Sequence, residues 1–125
     1  MKLQEICELL QADVLVDYDS DAEAFTACGS DLISDILRFI KVETVLLTGL
    51  TTLQMIKAAQ LLDVKAIIFV RGKRPAKEVE EIAKKNDLPV LCTKLPLFEA
   101  CGCLSRHGLK GCSEYAVQED EHVAE

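Results

Sequence analysis

The chain has 125 residues, half of them hydrophobic, and a formal net charge of −7 at pH 7. This length suits one domain with one core, and no apolar run is long enough to span a bilayer. The acidic balance, without a basic stripe or an aromatic stacking platform, excludes nucleic acid as the main partner. The N-terminal stretch carries acids and lacks a secretory apolar core, so we expect a cytoplasmic protein that makes no membrane contact.

The charge is distributed unevenly along the chain. Residues 113–125 hold five acids and no Lys or Arg, which leaves about −2 for the residues before them. From Gly108 onward the sequence offers little to bury. We therefore predict a single domain over residues 1–107 and an acidic, mobile C-terminal tail over residues 108–125.

The first elements in chain order are a helix and two short strands. Apolar residues at helical spacing predict a helix over Lys2–Leu10. Strands are predicted over Asp13–Asp17 and Glu23–Cys28, and we expect these two strands to pair with each other. A second helix should follow, with Ser30 as its N-cap and Asp31 in its first turn.

The central stretch is a strand, a helix and a second strand. The strands Val45–Leu47 and Ala66–Val70 are continuous apolar runs, and the helix between them should begin with a capping box of Thr51 and Gln54. Strands that are apolar on both faces are typical of a parallel sheet covered on both sides and connected by right-handed crossovers.

The remaining pattern repeats this alternation. It predicts a helix over Pro75–Asn86, preceded by a positive φ at Gly72, then a strand over Leu88–Cys92 and a last helix over Pro96–Arg106. The fold class is therefore α/β, a three-layer α/β/α sandwich with a largely parallel central sheet.

This order of elements resembles the DRTGG domain over about residues 1–107. The resemblance rests on Ser30-Asp31, on Gly72 and Pro75 after the second apolar strand, and on the Leu88–Thr93 segment. It implies a fold similar to the N-terminal domain of HPr kinase/phosphorylase. The DRTGG modules of phosphotransacetylases and CBS-domain pyrophosphatases are regulatory. The resemblance implies the same role for this chain, as a small stand-alone version of the domain. Because such domains are commonly dimeric and the body carries little net charge, we expect a homodimer.

The namesake residues of that family are mostly replaced. Its Asp-Arg pair falls at Thr51-Thr52, and its Thr-Gly-Gly falls at Val70-Arg71-Gly72, where only the last Gly is kept. The catalytic sites of the larger proteins lie in other domains, and no G-x-x-x-x-G-K-[ST] loop is present. The only histidines, His107 and His122, have no visible nucleophile beside them. We therefore expect no enzymatic activity.

Polar and cationic residues follow the two central strands. They are Thr48, Gly49, Thr51 and Thr52 after the first strand, and Arg71, Gly72, Lys73 and Arg74 after the second. Ligands bind at this edge of open α/β sheets, and a helix N-terminus with nearby cations favours an anion. The sequence thus predicts a site for a nucleotide or another phosphorylated effector, and no cofactor. Ordinary helix capping and a solvated basic turn would explain the same residues.

Two other interpretations remain open. Six cysteines in a chain without an export signal should be reduced thiols, and Cys101, Cys103, His107 and Cys112 could hold a metal ion or an iron–sulfur cluster. This would suit an accessory protein that partners a redox or metabolic enzyme, although the spacing fits neither a zinc nor an iron–sulfur pattern. Buried cysteines often act only as small hydrophobic residues. The third interpretation is an interaction scaffold for another protein, without a ligand.

Overall fold

The computed structural model describes residues 1–40 and 43–112. In these residues five helices surround a six-stranded sheet of order β1-β5-β4-β3-β2-β6. In chain order the elements are α1 (Leu3–Leu9), β1 (Asp13–Val16), β2 (Thr26–Gly29), α2 (Ile33–Phe39), β3 (Thr44–Thr48), α3 (Leu53–Leu61), β4 (Ala66–Phe69), α4 (Lys77–Lys85), β5 (Val90–Cys92), α5 (Leu97–Arg106) and β6 (Lys110–Gly111).

The sheet is parallel except at one edge. β2, β3, β4 and β5 pair in succession, all parallel, and β6 joins β2 in the same direction. β1 pairs antiparallel with β5. The predicted pairing between the first two strands is therefore wrong. Ala22 and Ala24 instead exchange backbone hydrogen bonds with Leu3 and Met1, which carries the chain away from β1 before β2 begins.

The topology decides which helices cover which face. The chain steps from β2 to β5 in one direction across the sheet, and then returns through α5 to β6 at the far side of β2. Right-handed connections that run in opposite directions lie on opposite faces. Accordingly α2, α3 and α4 pack in one core, and α1 and α5 pack in a second core on the other side. The predicted three-layer sandwich is confirmed.

The central strands contribute to both cores. In β3, Leu46 belongs to the core under α2, α3 and α4, whereas Val45 and Leu47 belong to the core under α1 and α5. β4 alternates in the same way, with Phe69 in the first core and Ile68 in the second. All five side chains are fully buried, because both faces of the sheet are covered.

Helix α3 begins one residue later than the sequence predicts. Thr52, not Thr51, is its N-cap, and the Thr52 hydroxyl accepts a hydrogen bond from the Met55 N–H at 3.3 Å. The expected capping box of Thr51 and Gln54 is therefore wrong by one position, since two successive threonines offer the same cap chemistry.

The fold continues past the predicted start of the tail. Leu109 is buried in the core under α1 and α5, and β6 places Lys110–Gly111 against β2. Residues 108–112 thus belong to the folded body, while the rest of the predicted tail lies outside the described residues. Within the described part of the chain, no helix is long and apolar enough to cross a bilayer.

Candidate functional site

A crevice lies where the connections that follow two neighbouring strands diverge to opposite faces of the sheet. β4 continues into α4 on one face and β5 continues into α5 on the other, which defines the topological switch point of the sheet. A cavity of about 290 Å³ lies there, at the carboxyl ends of both strands. Its walls are Gly72 and Arg74 after β4, residues 92–95 around the end of β5, Leu10 and Gln11 after α1, and Asp13 at the start of β1.

The loop after β4 is held in a fixed shape. Arg71 and Gly72 both have positive φ, 59° and 67°, which confirms the conformation predicted for Gly72. The Arg71 N–H donates to the Leu95 carbonyl and the Gly72 N–H to the Thr93 carbonyl, each at 2.9 Å. These bonds tie the loop to the segment after β5, so the two sides of the crevice are positioned together.

Thr93 joins the crevice to helix α1. Its buried hydroxyl donates to the Leu10 carbonyl at 2.7 Å and accepts from the Leu95 N–H at 3.3 Å. This contact explains why the end of α1 lines a cavity whose other walls come from the loops after β4 and β5.

The edge around the crevice is cationic. Arg71, Lys73, Arg74 and Lys94 are all exposed there. Within residues 1–40 and 43–112, Arg74 alone among these four forms an ion pair, with Asp13. The other three cations are available to an external anion, on a chain whose net charge is −7.

Below these cations lies the thiol of Cys92, which donates a hydrogen bond to the Lys73 carbonyl at 3.1 Å. Burial raises the pKa of Cys92, although the nearby Arg74 charge opposes that shift. The thiol is therefore a neutral part of the cavity wall.

Arg71 lies directly over Gly49. A Cβ placed on Gly49 would lie 2.7 Å from the terminal nitrogen of the guanidinium, closer than real contacts allow. Because Gly49 has no side chain, the Arg71 guanidinium can lie against the turn after β3. The residues predicted after β3 and those predicted after β4 meet at this contact.

The donors of that turn already bind an internal anion. One carboxylate oxygen of Asp31, Oδ1, accepts from the Thr48 hydroxyl at 2.9 Å and from the Gly49 N–H at 2.7 Å. The predicted N-cap and first-turn positions are wrong, because α2 begins only at Ile33 and the Ser30 hydroxyl accepts from the Leu32 N–H before the helix. Asp31 reaches the turn because β2 and β3 are neighbours and their carboxyl ends meet.

The predicted ligand-binding residues therefore fall into two groups. Gly72 and Arg74 line the cavity, with Arg71 and Lys73 in the same loop. The other four do not line it: Thr48 is buried and bonded to Asp31, as is Gly49, Thr52 caps α3, and Thr51 is half-buried beside it.

Sequence reasoning missed Gln11, Asp13, Thr93 and Lys94. Thr93 and Lys94 directly follow the predicted strand Leu88–Cys92, so the same strand-end rule would have found them. No local signal marks Gln11 and Asp13, because they enter the crevice only through the long-range pairing of β1 with β5.

The residues of the alternative metal site are not brought together. Cys103 faces α1, where its sulfur lies 3.7 Å from the Leu9 carbonyl, while Cys101 and Cys112 line a cavity on another side of α5. His107 is exposed and its Nδ1 lies 2.7 Å from the Cys103 carbonyl oxygen. Among the described residues no group of three His, Cys, Asp or Glu side chains could hold a metal ion.

These features define the class of the protein as a three-layer α/β domain with a cationic crevice at its topological switch point. Residues 5–106 match the DRTGG domain family, and the chain belongs to that family. A search of the curated proteins finds no match.

A similar solved structure is that of the CBS and DRTGG domains of the regulatory region of Clostridium perfringens pyrophosphatase, complexed with the activator diadenosine tetraphosphate. The two are 22% identical with a TM-score of 0.61, over 79% of this chain and 44% of that one. The chain thus spans less than half of that structure, and the likeness shows the fold.

Proposed function

We propose that this DRTGG domain is a non-catalytic regulatory domain that binds a nucleotide or another phosphorylated effector in the crevice between the loops after β4 and β5. The observation that carries the proposal is the group of three exposed cations, Arg71, Lys73 and Lys94, which make no ion pair within the described residues. Lys94 lines a cavity at the switch point of the sheet, where open α/β folds bind their ligands, and Arg71 and Lys73 belong to the loop after β4 that forms one wall of this cavity.

The geometry suits a phosphate group better than a neutral ligand. An arginine guanidinium binds phosphate oxygens through two parallel hydrogen bonds, and lysine adds a mobile point charge. The Arg71 guanidinium rests against Gly49, and this contact restricts the side chain before a ligand binds, which lowers the entropy lost on binding. The cavity of about 290 Å³ is at the lower end of ligand pockets, so a larger nucleotide would extend from it across the open edge.

Asp31 limits where the phosphate can bind. Since its carboxylate holds the Thr48 and Gly49 donors, a phosphate there would face a negative charge. The effector's anionic group therefore binds on the crevice side of the Arg71 guanidinium, toward Lys73 and Lys94. Of the remaining predicted residues, Thr52 caps α3 and Thr51 directly precedes it.

The pyrophosphatase regulatory region supports the ligand class, because it contains a DRTGG domain and is complexed with a polyanionic nucleotide activator. We further propose that the domain is a cytoplasmic homodimer whose effector changes the surface it presents to a second copy or to a regulated enzyme. An effector does this only when it binds the two states with different affinity.

The test is the melting temperature of the reduced, metal-free protein against adenine nucleotides, dinucleoside polyphosphates and acyl phosphates. A ligand of the folded state at a hundredfold excess over its Kd stabilises by about 2.7 kcal/mol, so we expect a saturable rise in Tm. A flat response across the panel contradicts the proposed ligand class.

Three variants locate the site. Arg71→Ala removes the guanidinium, and Gly49→Ala displaces it while keeping its charge, so both should weaken the ligand-induced shift. Lys85→Ala removes an exposed cation at the opposite end of α4 and serves as the matched control. Equal shifts in all three variants would place the ligand elsewhere.

A further inference from the structure

Cys28 and Cys112 lie together at the edge of the sheet, where they pack in the same core and line the same cavity. β2 and β6 run parallel, with Ala27 opposite Gly111, and the two cysteines are the next residue on each side. Cys112 directly follows the end of β6 and packs in the same core as Cys28, beside two adjacent strands that lie about 4.8 Å apart. That spacing lies within the range of Cα separations that disulfides span, about 4.4–6.8 Å.

A cavity of about 520 Å³ opens beside this pair. Cys28, Cys112 and a third thiol, Cys101 of α5, all line it. A Cβ on Gly29 would lie 2.5 Å from the Cys101 sulfur, so the glycine leaves the space that this sulfur occupies. The cavity gives a small thiol reagent a route to Cys28, which is only half-buried.

We propose that Cys28 and Cys112 are a redox modification site that forms a reversible intramolecular disulfide by exchange with a small-molecule disulfide of the glutathione type. The thiolate of one cysteine attacks the small disulfide and expels one small thiolate, leaving a mixed disulfide. The second cysteine attacks the protein sulfur of that mixed disulfide and expels the other small thiolate. The two protein thiols lose two electrons, the small disulfide gains them, and the two protons pass to the released thiols.

The bond would join β6 covalently to β2. β6 has only two residues, and the partner it pairs with in the sheet is β2, so the disulfide would fix the end of the described chain to the sheet edge. This inference does not depend on the proposed effector site, which lies at the crevice between β4 and β5.

The surroundings of the pair set the pH dependence of the reaction. The hydrogen bond with Cys112, together with burial, raises the pKa of Cys28, and burial also raises the pKa of Cys101. Because the thiolate is the attacking species, oxidation should be slow near neutral pH and should accelerate as the pH rises. A rate that is flat between about pH 7 and pH 9 contradicts attack by these thiols.

The experiment incubates the full chain in a buffer of reduced and oxidised glutathione, counts thiols after unfolding in urea, and maps the crosslinked peptides by mass spectrometry. We expect two of the six thiols to be lost, with one crosslink between the Cys28 and Cys112 peptides and no covalent dimer. Addition of excess reduced thiol should restore all six. Retention of every thiol by the wild-type chain, or a main crosslink that involves another cysteine, overturns the proposal.

Single substitutions provide the controls. Cys28→Ala and Cys112→Ala should each lose at most one thiol, as an unresolved mixed disulfide with glutathione, and should form no intramolecular crosslink, whereas Cys101→Ala, which lines the same cavity, should still lose two. Loss of two thiols by the Cys112→Ala protein overturns the assignment. If a variant fails to fold, the peptide map of the wild-type chain still decides the question.

Discussion

The carboxylate of Asp31 accepts a hydrogen bond from the Gly49 N–H at 2.7 Å, which joins the turn after β2 to the turn after β3. The same oxygen accepts from the buried Thr48 hydroxyl. An internal anion thus satisfies the donors at this part of the edge, and the exposed cations other than Arg71, which lies over Gly49, are further along it.

Replacing Asp31 by Ala should destabilise the fold. It removes the acceptor for the Thr48 hydroxyl and the Gly49 N–H, and loss of one partner of a part-buried hydrogen bond costs about 1–3 kcal/mol. Urea unfolding measures the change, and Asp31→Asn, which keeps an acceptor oxygen, should lose less. The control Glu81→Ala on exposed α4 should change stability by less than about 0.5 kcal/mol. Equal behaviour of Asp31→Ala and the control would show that the two bonds contribute nothing.

Thr93→Val should also destabilise, by about 1–3 kcal/mol. Valine keeps the β-branched shape but can neither donate to the Leu10 carbonyl nor accept from the Leu95 N–H. The matched control is Thr51→Val, because the half-buried Thr51 hydroxyl makes no hydrogen bond among the described residues. Denaturant midpoints compare the two variants, and a Thr93→Val protein as stable as Thr51→Val contradicts the role given to this hydroxyl.

Arg74→Ala should change stability by less than about 1 kcal/mol, because its ion pair with Asp13 is exposed and screened by water. A double-mutant cycle with Asp13→Ala isolates the coupling between the two charges. A coupling well above that value would mean that the pair supports the fold, and that ligand-binding losses in Arg74 variants reflect unfolding.

Stability should fall in alkaline solution. Hydrogen bonding with Cys112 and burial raise the pKa of Cys28 above its ordinary value of 9.0, and burial raises the pKa of Cys7, Cys92 and Cys101. Below pH 9 both states keep their thiol protons, so these groups contribute no slope. Above pH 9 the unfolded chain loses protons that the folded chain keeps, and each such proton lowers the free energy of unfolding by up to about 1.4 kcal/mol per pH unit.

Urea midpoints between about pH 7.5 and pH 10.5, under reducing conditions, measure this dependence. The decline should be shallower in Cys28→Ala than in the wild-type chain. A wild-type midpoint that stays level through pH 10 would contradict the burial of these thiols.

The sequence predicted the centre of the sheet better than its edges. The apolar runs of β3, β4 and β5 are local features of composition, so the α/β class and the parallel sheet could be inferred from them. The partner of β1 could not, because it depends on contacts such as that between Leu10 and Thr93, 83 residues apart. The start of α3 was missed by one residue since neighbouring threonines make equivalent caps.

The candidate site was likewise predicted only where it depends on local sequence order. The strand-end rule locates Gly72 and Arg74 from sequence order alone. The role of Asp31 at the neighbouring turn requires the distance between two loops, which no spacing in the sequence encodes.

The antiparallel pairing of β1 with β5 has a consequence for how the chain is synthesised. Val16 pairs with Val90 and Asp13 with Cys92, so the first strand leaves the ribosome long before its partner is translated. Until then the apolar side chains of Leu3 and Ile6 lack much of the core that buries them, and such distant pairings form slowly. The first helix and strand of this chain are thus made early, but their core is completed only after β5 and α5 have been translated.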